Sequence, residues 1–169
     1  LLVLAWLGAG SAGAQAQARV ALVIGNAGYQ SAPALRTTVA DARMMTETLR
    51  AAGFDVTEHV DLRAESTGEA IRAFLDKVAA GGPQTIAFFY YAGHAAQSGG
   101  ENFLIPVDAQ IAGEADVENE AFRLSDMMEE LAQMRAAARI VVIDGAREHG
   151  IGRGGRSAGT QGSARMTAQ

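Results

Sequence analysis

His94 and the tetrapeptide Asp144-Gly145-Ala146-Arg147 are the residues of this chain whose types and surroundings could do chemistry. Each follows a short apolar run, Ile86 to Tyr91 before the histidine and Ile140 to Ile143 before the aspartate. Histidine is the side chain whose ordinary pKa lets it take or give a proton near neutrality, and a carboxylate at Asp144 can hold a cation. Two such strand ends side by side would make a site. The 169 residues include no cysteine, which excludes a thiolate nucleophile, a thiolate metal site and any disulfide. Taken alone, His94 reads equally well as a loop histidine without a role, and Asp144 as a strand-end carboxylate bonded to local backbone.

The elements that must position these residues are legible from their periods. Ile86 to Tyr91 is bounded by Gly81-Gly82-Pro83 and by Gly93. Too short for a core helix, it reads as a strand buried on both faces. An open parallel sheet binds ligands at its carboxyl end, where a small-residue turn would present His94. Val20 to Ile24 is an earlier strand, apolar throughout and therefore central. The glycine-containing turn after it, Gly25 to Tyr29, invites a dinucleotide reading, but the spacing is not G-x-G-x-x-G and Pro33 interrupts the expected helix start. Ala40, Met44, Met45 and Leu49 form a helical stripe that stops at Gly53. Asp41 lies in its first turn, where the helix dipole favours a carboxylate.

Phe54 to Val60 alternates as a second strand, and Ser66 with Glu69 signals a capping box for a helix with Ile71, Phe74, Leu75 and Val78 on one face. Gly99-Gly100 closes a hairpin whose second half is Asn102 to Val107. Glu114, Asp116, Glu118 and Glu120 read as a solvated acidic loop, because no glycine-punctuated ligand loop accompanies them as a calcium site requires. Ser125 caps a third helix with Met127, Leu131 and Met134 on its face. The alternation of strand and helix predicts an α/β domain with a mainly parallel sheet of four or five strands, open at its carboxyl-terminal edge.

A net charge of -5 without a basic stripe excludes nucleic acid as the main partner. Leu1 to Trp6 is wholly apolar and Gly8 to Ala18 is rich in small residues, so residues 1–18 read as a secretory signal, with cleavage sites at Ala12-Gly13-Ala14 and Ala14-Gln15-Ala16. The apolar core falls short of the roughly 20 residues that span a bilayer. Export to the periplasm or beyond is the expectation, and a membrane anchor the alternative. Residues 19–149 form the expected domain, and 150–169 a disordered polar tail.

Ala21-Leu22-Val23-Ile24-Gly25-Asn26, Asp41-Ala42, Tyr90-Tyr91-Ala92-Gly93-His94, Pro106-Val107-Asp108 and Ile143-Asp144-Gly145-Ala146-Arg147 together resemble the caspase-like cysteine peptidases, and among them the bacterial metacaspase-like members. The resemblance runs in order from about Arg19 to Arg147. It implies a caspase-like α/β three-layer sandwich, in which a histidine follows one strand and a cysteine follows the next about fifty residues later. His94 matches that histidine and Ala146, 52 residues on, occupies the place of the nucleophile. The family's glycine after the histidine is Ala95 here, which restricts the backbone where an oxyanion donor is wanted.

Family members that cleave after Arg or Lys use two aspartates, and these correspond to Asp41 and Asp144. A pair of carboxylates suits a guanidinium. The resemblance therefore implies a cysteine-type endopeptidase domain of basic specificity without its nucleophile, a pseudopeptidase whose partner is a peptide or protein segment bearing Arg or Lys. Two other readings stand beside it: an inactivated or truncated copy of an active enzyme, and a plain interaction domain. The residues call for no cofactor, and calcium enters by family analogy alone.

Overall fold

Val20 to Ile24 carries no polar side chain, and the structure buries it on both faces. The structure is a computed structural model that describes residues 17–147. In it β1 (Arg19–Gly25) lies between β2 (Asp55–Val60) and β3 (Ile86–Ser98), parallel to both. β6 (Ala138–Arg147) pairs in parallel with the far edge of β3, so the parallel part of the sheet runs β2-β1-β3-β6. β3 outlasts β1. Its freed edge is taken by β4 (Glu101–Leu104), which returns antiparallel across the Gly99-Gly100 turn and pairs in turn with the two-residue β5 (Phe122–Arg123). The carbonyls of Ala92 and His94, two residues apart and so on one edge of β3, accept the N–H groups of Asn26 and Ile105. β1 and β4 therefore share that edge, and β6 holds the other.

Alternate residues of β1 feed two cores. Val20, Leu22 and Ile24 pack with α2 (Ala64–Gly81) and α4 (Leu124–Gln133) through Ile71, Phe74, Leu75, Val78, Met127 and Leu131. Ala21 and Val23 face α1 (Thr38–Ala51) through Ala42 and Leu49, with Tyr90 and Ala92 of β3. Helices on both faces of one sheet make the expected three-layer α/β sandwich, with each large buried aliphatic side chain worth about 1.5–3 kcal/mol. β1 leads to β2 on one side and the chain then crosses to β3 on the other. The carboxyl ends of β1 and β3 thus flank a switch in strand order, the place where open α/β sheets hold ligands. Among the described residues no strand pairs with the outer edge of β6, and Ile140 on β6 is 39% exposed.

Several local expectations are corrected. The helix stripe is Thr38, Ala42, Thr46 and Leu49, while Ala40 and Met44 are exposed. Small residues win the buried face because α1 sits close on the sheet: a Cβ on Gly25 would lie 2.7 Å from that of Ala42. α2 begins two residues before Ser66, and its first N–H, on Ala64, is capped by Asp108 at 2.9 Å, not by Ser66. Ser125 lies inside α4 and donates to Glu101 at 2.6 Å. The acidic stretch is a short helix, α3 (Glu114–Glu120), whose Asp116 carboxylate accepts the N–H groups of Ala112 and Gly113 at 2.9 Å. β3 and β6 both run past the points where turns were expected, so His94 and Asp144 lie within strands. Continued pairing with β4 and β6 gives β3 reason to stay extended. The leader, up to residue 16, and the tail from 148 lie outside the described residues.

Candidate active site

β3 loses β1 as its neighbour after Ala92 and gains β4 only at Ala95. In that gap stands His94, 4% exposed. Its backbone N–H, which no strand reaches, donates to the hydroxyl of Tyr29 at 2.7 Å. Tyr29 lies 3.2 Å from the hydroxyl of Tyr91, which in turn reaches the carbonyls of His94 at 2.8 Å and Ile105 at 3.0 Å. Two phenol hydroxyls thus do the work of a strand neighbour. Burial pushes the Tyr29 and Tyr91 hydroxyls above the ordinary tyrosine range, so both remain protonated donors. Gly93 is what admits them, since a Cβ there would come within 2.6 Å of both hydroxyl oxygens.

The imidazole is oriented by the same loop. The Tyr29 ring meets it edge-on with centroids 4.5 Å apart, and its Nε2 lies 2.8 Å from the carbonyl oxygen of Pro33. A carbonyl only accepts, so Nε2 carries the proton and Nδ1 of the neutral ring keeps its lone pair. Nδ1 is buried and has no partner. A cavity of about 120 Å³ adjoins the ring, lined in part by Tyr29, Pro33, Ala95 and Ile105. The loop is itself fixed: Asp61 accepts the N–H groups of Ala27 and Gly28 at 2.7 and 2.8 Å, and Gln30 donates to Val107.

The two strands that carry the predicted residues are neighbours, as expected. In their register His94 lies across from Ala146, and Ala92 across from Asp144. Matched positions on parallel neighbours belong to one face of the sheet. Ala95 is opposite Arg147 in the same ladder and opposite Leu104 on the other side, so its main chain is enclosed between strands. Asp144 is exposed, and the hydroxyl of Tyr90 approaches its Oδ2 at 3.5 Å. Burial, then the charges of Asp144 and Asp41, push the Tyr90 hydroxyl up to about 12. Both predicted carboxylates therefore act on one phenol. α1 brings Asp41 there because Gly25 lets its first turn close on β1.

Sequence reasoning missed Tyr29, Pro33 and Tyr90. Only Tyr90 had a local signal, four residues before His94 and hence on its face of the strand. Three of the four acidic side chains of α3 make contacts within the protein. Asp116 is occupied at the helix start, Glu120 accepts from Gln110 at 3.4 Å and Glu114 accepts from Ser98 at 3.5 Å. Among the described residues no three acidic or histidine side chains converge on a cation position, and no helix is long and apolar enough to cross a membrane.

Residues 18–168 match the family model of the caspase domain, Peptidase_C14. The chain is also 35% identical over 94 residues to the mucosa-associated lymphoid tissue lymphoma translocation protein 1 of Homo sapiens and to its homolog in Mus musculus. The aligned stretch is 56% of this chain and 11% of either relative, so the chain spans about a tenth of their length.

Proposed function

This chain belongs to the caspase domain family, and on that premise we propose that it is a metacaspase-like pseudopeptidase domain, one that binds segments bearing Arg or Lys and does not cleave them. The observation that carries this reading is the pairing of His94 with Ala146. A histidine with Nε2 held by Pro33 leaves its Nδ1 without a partner, and the position across from it in the neighbouring strand is alanine. In an active counterpart a thiol there would give its proton to the imidazole, and the thiolate would attack the peptide carbonyl. Alanine offers neither an acidic proton nor a lone pair. Water directed by His94 alone would forgo nucleophilic catalysis. The enclosed main chain at Ala95 adds a second obstacle, because an oxyanion needs N–H groups free of other partners.

The basic preference is supported by Asp41 and Asp144, whose charges converge on Tyr90 near the same end of the sheet. A guanidinium between two carboxylates forms charge-assisted bonds that an acidic side chain cannot.

The test is Ala146→Cys, assayed on peptides with Arg, Lys or Asp before the scissile bond. The unmodified chain should show no turnover. The variant should cleave weakly after Arg or Lys, and His94→Ala in that background should abolish the activity. Cleavage by the unmodified chain, or a variant that prefers Asp, would sink the reading. A folded but inert variant would favour an interaction domain in which the histidine has no chemical role.

A further inference from the structure

We infer that Tyr29 is the positioning residue of His94: its hydroxyl fixes the histidine's main chain and its ring holds the imidazole, so that Nδ1 stays available toward the nucleophile position. This rests on the reading of His94 as a retained base. The case is one of supply and demand at a gap in the sheet. Gly93 and His94 are the residues of β3 between the last pairing with β1 and the first with β4. A buried N–H without an acceptor is costly. The acceptor supplied is the Tyr29 hydroxyl at 2.7 Å, 65 residues away in sequence. The same side chain braces the ring at 4.5 Å, and its loop provides the Pro33 carbonyl for Nε2.

The hydroxyls have one consistent donor order. The His94 N–H donates to Tyr29, Tyr29 to Tyr91, and Tyr91 to a carbonyl, either that of His94 or that of Ile105. With that chain complete, the strand at His94 cannot shift without breaking several bonds. A small displacement of a proton-transfer group is costly in rate. Tyr29 meets His94 through both its hydroxyl and its ring, so it acts on the site through the histidine.

Tyr29→Phe keeps the ring and removes the hydroxyl. Two readouts are needed. The first is nitrogen NMR of the His94 imidazole in the otherwise unmodified chain, which needs no activity. The parent should show one fixed tautomer with its proton on Nε2, and Tyr29→Phe should average the two ring nitrogens. The second is kinetics in the Ala146→Cys background. Tyr29→Phe should lower kcat on the order of tenfold to a hundredfold while KM stays within about twofold. Should Tyr29→Phe fold poorly, Tyr91→Phe, which removes the hydroxyl next to that of Tyr29, should shift the same signals in the same direction. Unchanged ring-nitrogen signals in a folded Tyr29→Phe variant would overturn the proposal, and so would an altered tautomer with unchanged kcat. If Ala146→Cys is inert, the retained-base reading fails by itself, and the NMR comparison still decides whether Tyr29 positions the ring.

Discussion

Asp144, on β6, lies 3.5 Å from the Tyr90 hydroxyl, and the charge of Asp41, in the first turn of α1, acts on the same phenol. Like charges so placed repel each other, and a cation between them relieves the repulsion. A bound guanidinium should therefore depend on both. We predict that Asp41→Asn or Asp144→Asn weakens binding of an arginine-ended peptide about tenfold, near 1.4 kcal/mol, and leaves an aspartate-ended peptide almost unaffected. Because Asp144 is exposed, that preference should shrink as salt is raised. Calorimetric titration of both peptides at two salt concentrations checks this. A ratio of affinities that neither substitution moves would rule out the carboxylate pair as the recognition element.

At the scale of elements, α2 shows how a local signal can be overruled. Ser66 and Glu69 have the spacing of a capping box, yet the helix starts at Ala64 and its first N–H is met by Asp108 from the segment after β4. Two added helical residues capped by a carboxylate from a distant segment outweigh a start at Ser66. Val107 bonds to Leu62 in the same corner, so that segment is already anchored there. Asp108→Ala should therefore cost about 1 kcal/mol of folding stability, within the usual range for a lost cap. Ser66→Ala should cost less than about 0.5 kcal/mol, as an ordinary surface change does. Urea denaturation of the two variants separates them, and the opposite ranking would restore the capping box.

For the whole molecule, the proposed site lies at the carboxyl ends of the parallel strands, while Ala18 leads into β1 at their amino ends. We propose that the protein is exported and trimmed before β1, which such an arrangement permits without disturbing the site. Expressed behind an initiator methionine, the mature protein should be found in the periplasm with its amino terminus between Ala14 and Ala18. Intact mass showing residues 1–14 still attached would argue for an anchored form. The sequence by itself determined the α/β alternation, the central place of Val20 to Ile24, the buried face of α2 and the Gly99-Gly100 hairpin. These follow from composition and from periods of two and 3.6, which are written locally. Only the tertiary structure decided that β3 runs on through His94, that β4 takes the edge β1 leaves, and that Tyr29, Pro33 and Asp108 complete the neighbourhood. Those partners lie 65, 61 and 44 positions from the groups they satisfy. No period or turn signal encodes such a pairing, because it is set by which backbone groups remain unmet once the sheet has formed.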